Sequence, residues 1–145
     1  PPAASGAPPA VQINMAMTQG AVYDAVNAIE RRHRPYLLRT RFHPKASKDA
    51  AVATAAYRVL SNIVATAPES ILFPNRASLL GSLATEYATS LAAIPDTRWR
   101  SRGIAAGNAA AEAMIEIRRD DGRPGTPSFT TQQSAWWPED RRQGR

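Results

Sequence analysis

The side chains best suited to binding or proton chemistry crowd into one short stretch of the chain. Arg31, Arg32, His33, Arg34, Arg39, Arg41, His43 and Lys45 follow one another closely between two apolar segments. Cations at this density could hold phosphate groups or a nucleic-acid backbone, so Arg31, Arg32, Arg34, Arg39, Arg41 and Lys45 are candidate ligands for an anion. Only Tyr36 and Phe42 in this stretch could stack on bases. A solvated linker is therefore the plainer reading, and nucleic acid is not expected as a partner.

His33 and His43 are the only histidines. A metal site would need further ligands at suitable spacing, and no His-x3-His pair exists; Asp49 is the carboxylate nearest His43 in sequence. No metal ligand is assigned. Asp24 and Asn27 lie three apart on an otherwise apolar helix, where a structural hydrogen-bonding role inside a bundle is favoured over general-base work. Glu112 and Glu116, with Arg119 nearby, read as helix-surface pairing rather than a carboxylate dyad. There is no Cys, so thiolate chemistry is excluded, and there is neither a Gly-x-Ser-x-Gly elbow nor a phosphate-cradling Gly-rich loop. No catalytic or cofactor-binding residue is assigned on this basis.

The elements that would position these groups are helices. Val11, Met15, Val22, Val26 and Ile29 recur at helical spacing and predict a first helix from about residue 11 to Arg32. Gly20 interrupts it, as glycine does where another backbone approaches closely. A linker runs from His33 to Lys45, punctuated by Pro35 and Pro44. Ser47 is the expected cap of a second helix, with Val52, Ala56, Val59, Leu60 and Ile63 as its apolar face and an end near Ala67, before Pro68.

Ile71-Leu72-Phe73-Pro74 reads as a short apolar connection. Asn75 is placed as the cap of a third helix, with Leu80, Leu83, Tyr87, Leu91 and Ile94 on one face. Pro95 stops it, and Asp96 is expected to cap a fourth helix from about Thr97 to Arg119, with Gly122 closing it. Gly103, Gly107 and Ala111 form a small-residue stripe that admits a close neighbouring helix. The expected fold is thus all-α: an alanine-rich bundle of about four main helices. Residues 1–10 read as a Pro/Ala linker, 11–122 as the helical domain, and 123–145 as an irregular Pro/Gly/Trp-containing tail, whose Trp136-Trp137 pair is expected to dock on protein.

The 145 residues carry 18 Lys and Arg against 12 Asp and Glu, a net charge of +6 that favours acidic partners. No run of 18 or more apolar residues exists, so no membrane span is expected. The Pro/Ala start is compatible with a mature terminus after signal removal and equally with a simple boundary, so the sequence sets no compartment.

Four segments, in order, resemble a known family. Met15-Ala16-Met17 through Ala21-Val22-Tyr23-Asp24-Ala25-Val26-Asn27-Ala28-Ile29, followed by Arg34-Pro35-Tyr36-Leu37, is similar to the first helix of vanadium-dependent haloperoxidases and type-2 phosphatidic acid phosphatase-like proteins. Asp49 through Leu60 resembles their alanine-rich second helix. Gly103 through Gly122 is similar to the helix that ends in an Asp-Gly turn, and Ser134-Ala135-Trp136-Trp137-Pro138 resembles the Trp-containing segment after it.

The resemblance spans residues 11–138 and implies a helical bundle from an enzyme with an oxyanion pocket for vanadate or phosphate. That pocket uses a Lys seven positions before an Arg-Pro, a later Ser-Gly-His, and a later Arg and His. Here Asn27 stands seven positions before Arg34-Pro35, Glu116 stands seven before Arg123-Pro124, and no Ser-Gly-His occurs. The chain is therefore expected to be an N-terminal scaffold portion of such a phosphoesterase, inactive alone and holding no cofactor itself. Its expected partner is a C-terminal catalytic segment, or further copies of the chain through helix faces. The alternative is a non-enzymatic helical module that binds acidic partners through residues 31–48.

Overall fold

The computed structural model describes residues 8–67 and 75–119. They form an all-α bundle of four helices: α1 (Pro8–Glu30), α2 (Lys48–Thr66), α3 (Arg76–Ala92) and α4 (Arg98–Ile117). The Pro/Ala segment before Pro8, the 71–74 connection, the Gly122 cap and the Trp136-Trp137 tail lie outside the described residues.

Helix α1 starts three residues earlier than the apolar pattern suggests. Pro8 and Pro9 occupy its first turn, where a missing N–H costs no intrahelical bond. It ends at Glu30 rather than Arg32, because Arg31 turns left-handed at φ 60° while its N–H still bonds to the Asn27 carbonyl at 2.7 Å. Helix α2 begins as expected, the Ser47 Oγ accepting from the Ala50 N–H at 3.2 Å. Asn75 sits at the start of α3 but its side chain makes no capping bond. Thr97, not Asp96, caps α4 by accepting from the Trp99 N–H; Asp96 instead pairs with Arg100.

Helices α1, α2 and α4 enclose the core, and α3 packs on α2 alone. Glycine sets the spacing of α2 and α4. A Cβ on Gly103 would stand 2.1 Å from the Ser47 carbonyl oxygen, and one on Gly107 would stand 2.5 Å from that of Ala51. The small-residue stripe is therefore buried against α2, and that face of α4 is not open to a second chain. The same pairs show that α2 and α4 run parallel. Helix α1 runs the other way: Gly20 lies against Met114 near the end of α4, while the Ala28 carbonyl accepts from Phe42 in the linker leading to α2. Helix α3 returns the chain along α2. The Tyr57 and Tyr87 rings stack at 4.4 Å, and the Tyr87 hydroxyl meets that of Thr54 at 3.0 Å.

The core faces differ from the expected ones on two helices. Val11 and Met15 are 53% and 59% exposed, and α1 instead buries Met17, Ala21, Asp24, Ala25, Ala28 and Ile29. On α2 the buried residues are Ala50, Ala51, Thr54, Ala55, Val59, Ile63 and Val64; Val52, Ala56 and Leu60 are half-buried. In both cases alanine holds the centre, because closely spaced helices leave room for little else. Met17, Ile29, Val59 and Met114 are the larger anchors, each contributing about 1.5–3 kcal/mol on burial. At Gly20 the close neighbours are side chains, the end of Met114 and the Tyr36 ring, rather than another backbone.

Candidate functional site

The polar pair in α1 has a definite task. Asp24 is 1% exposed. One of its carboxylate oxygens accepts from the Tyr36 N–H at 2.7 Å, the other from the Leu37 and Leu38 N–H groups at 2.6 and 2.9 Å. Asn27 exchanges two bonds with the backbone of His33, donating to its carbonyl and accepting from its N–H, both at 2.9 Å. The Tyr23 hydroxyl donates to the Arg34 carbonyl at 2.8 Å. One face of α1 thus substitutes for secondary structure along residues 33–38, satisfying backbone groups that no helix or strand partners. The structural role expected of Asp24 and Asn27 is what the geometry shows.

A groove of about 480 Å³ opens beside this clamp, lined by Met17, Gly20, Tyr23, Arg34, Tyr36 and Met114, with Arg118 at its edge. Its floor is apolar and Arg34 brings a cation to its wall. Among the described residues, no histidine, serine or lysine lines it. These residues do not fit a vanadate pocket of the kind the resemblance implies, which needs a histidine to bond the metal and several cations around the oxyanion.

The candidate anion ligands are dispersed. Arg31 folds back to donate to the Phe42 carbonyl at 2.8 Å. Arg34 stands at the groove. Arg32, Arg39 and Arg41 are exposed. Only Lys45 joins a cluster, and its other members are on α4. The Lys45 ammonium lies 6.0 Å from the centre of the Trp99 ring, with the Arg98 and Arg102 guanidinium groups at 4.4 and 5.6 Å. The His43 ring packs on Trp99 at 4.8 Å, its Nδ1 accepting from the Lys45 N–H. Each cation–π contact contributes about 0.5–1 kcal/mol at an exposed site.

The sequence reading missed Trp99, Arg98 and Arg102, since they lie far along the chain from residues 31–48. The signal that could have found them is Arg98-Trp99-Arg100-Ser101-Arg102 itself, a tryptophan flanked by three arginines. Arg100 is engaged elsewhere, donating to the Leu91 and Ile94 carbonyls at the end of α3.

Glu30 pairs with Lys48 at 2.5 Å, and the hydrogen bond and charge of Lys48 hold its carboxyl below the usual range. Glu116 pairs with Arg119, as expected of a helix surface. Among the described residues, no group of three or more His, Asp or Glu side chains is placed to hold a metal ion, and no helix is long and apolar enough to cross a membrane. No family model, no curated protein and no solved structure matches this chain.

Proposed function

We propose that this chain is the helical scaffold of a haloperoxidase- or acid-phosphatase-like phosphoesterase, whose reactive residues lie in a further segment C-terminal to it. The observation that carries the reading is the Asp24 clamp. The most deeply placed carboxylate among the described residues is 1% exposed and spends both oxygens on three backbone N–H groups, so it is engaged in holding the chain rather than turned to a substrate. The segments that carry the family resemblance have the same character. Asp24 and Asn27 hold the Arg34-Pro35-Tyr36-Leu37 stretch, Ala50, Ala51 and Ala55 fill the core, and Gly103 and Gly107 set the α2–α4 spacing. All are packing or positioning groups, which suits a part that supports chemistry supplied elsewhere. Vanadate or phosphate, in this reading, belongs to the catalytic segment.

The test is the intact mass of the protein from its native source, beside phosphatase and bromide-oxidation assays. The expected result is a protein larger than these 145 residues, active in one assay, with the isolated chain inert in both. A native protein of this chain's own mass, inert in both assays, would sink the reading. A second reading, a binding module for acidic partners, is favoured by one observation, the gathering of cations around Trp99.

A further inference from the structure

The parallel course of α2 and α4 puts both of their N-termini at one end of the bundle. Gly103 of α4 lies against the Ser47 carbonyl, and the Ser47 N–H donates to the Trp99 carbonyl at 2.9 Å, so the two first turns are fastened side by side. Each helix start presents the positive end of its dipole. The same end carries Lys45, Arg98 and Arg102 about the Trp99 ring, with His43 against it. None of the three cations forms an ion pair among the described residues. The carboxylates nearest in sequence are Asp96, paired with Arg100, and Asp49, exposed in the first turn of α2.

Three permanent cations and two helix starts, converging with one unpaired carboxylate near them in sequence among the described residues, repel one another unless an anion joins them. The indole gathers them. Each contact with the ring favours its cation at this end of the bundle, which offsets part of the side-chain freedom that a bound anion would otherwise have to freeze out. We propose that this end of the bundle, with Lys45, Arg98 and Arg102 as its ligating cations, binds a phosphoryl group.

The geometry also narrows the kind of ligand. A nucleic-acid strand held by stacking needs an open aromatic face. Here His43 and Arg98 both lie within 5 Å of the ring centre and Trp99 is half-buried, so a stacking base would compete with them for the ring. What remains exposed are Arg98, Arg102 and Lys45. Arginine matches phosphate oxygens with two parallel N–H donors. A compact phosphoryl dianion, from a free phosphoester or from a lipid headgroup, fits this donor set. The site does not depend on the scaffold reading, since none of its ligating cations is a residue that reading rests on; it deepens the second reading, the binding of acidic partners.

The test is calorimetric titration of the full chain with inorganic pyrophosphate, and co-sedimentation with phosphatidylcholine vesicles with and without phosphatidic acid. Saturable pyrophosphate binding that weakens with added salt is expected, reduced about tenfold or more in an Arg98→Gln/Arg102→Gln double variant. Both arginines are exposed, and an unchanged circular dichroism spectrum confirms that the variant is folded. The Arg98→Lys/Arg102→Lys pair, which keeps the charge but not the paired donors, retains only part of the binding. Arg58→Gln, an exposed cation in the middle of α2, leaves it unchanged. Binding to phosphatidic acid vesicles alone, lost in the double Gln variant, identifies the source as a headgroup. The proposal is overturned if neither probe binds, if the double Gln variant binds as the parent does, or if only a single-stranded oligonucleotide binds.

Discussion

Helices α3 and α4 have similar lengths, 17 and 20 residues, and both carry a clear apolar stripe, yet they stand in the fold quite differently. Helix α4 buries Gly103, Ala106, Gly107, Ala110, Ala111 and Met114; α3 buries no residue. The stripe on α3 is the larger one, with Leu80, Leu83, Tyr87, Leu91 and Ile94, and each of these is half-buried. Size explains the difference. Glycine and alanine let the α4 backbone reach that of α2, so its stripe is enclosed by α1 and α2 together. Leucine and tyrosine hold α3 at arm's length on a single neighbour. Where α2 and α4 meet, the closeness of the contact follows the smallness of its residues rather than their hydrophobicity.

Substitutions on the two sides of the bundle should differ in size and sign. The largest effect is expected on the core side, at Asp24→Ala. It strands three backbone N–H groups, two of them on residues that water can reach in part, and should cost about 3 kcal/mol. Urea denaturation measures this, and a loss under 1 kcal/mol would mean the 33–38 segment holds its shape without the clamp. Gly107→Ala comes next. Its Cβ would meet the Ala51 carbonyl and, at 2.7 Å, the Thr54 Cβ, so α4 must move outward at a cost of about 2 kcal/mol.

On the α3 side the effects are smaller. Tyr87→Phe leaves the buried Thr54 hydroxyl without its partner and should cost about 1 kcal/mol, with faster amide exchange in α3 than in α2. Gly81→Ala should act in the opposite sense to Gly107→Ala. Nothing lies within 4 Å of its added Cβ, so helix propensity alone decides and the chain gains about 0.5–1 kcal/mol. A loss at Gly81 as large as that at Gly107 would refute the division between the two helices.

The smallest effect concerns Glu30. Its carboxyl titrates below the ordinary value in the folded chain, so its contribution is present above the unfolded pKa and is lost as pH falls through the lowered one. Glu30→Gln should therefore lower stability slightly above the ordinary carboxylate range, leave it unchanged at low pH, and so flatten the acid limb of the stability curve; the effect is small because the ion pair is exposed.

Much of the local structure was legible in the residues. The four helices, the Ser47 cap, the α3 face and the close packing of the Gly103-Gly107-Ala111 stripe all follow from periodicity, capping chemistry and side-chain size, which act within a few residues. The α1 face was misread because Val11 and Met15 are more hydrophobic than Ala21 and Ala25, and hydrophobicity ranks them first. Position on the helix decides instead: Ala21, Ala25 and Ala28 are buried beside Met17 and Ile29, whatever their size.

Residue patterns alone establish that this chain is helical, where its helices begin and end to within a few residues, and that Asp24 and Asn27 serve structure. Those are consequences of local geometry and of the cost of burying an unpaired polar group. The packing of the helices, by contrast, disperses the six basic candidates and joins Lys45 instead to Arg98 and Arg102 at Trp99. That grouping depends on α2 and α4 running parallel, with α3 carrying the chain back between them. No pattern within a single segment encodes that course, because it is fixed by contacts between residues more than fifty positions apart, Ser47 with Gly103 and Ala51 with Gly107.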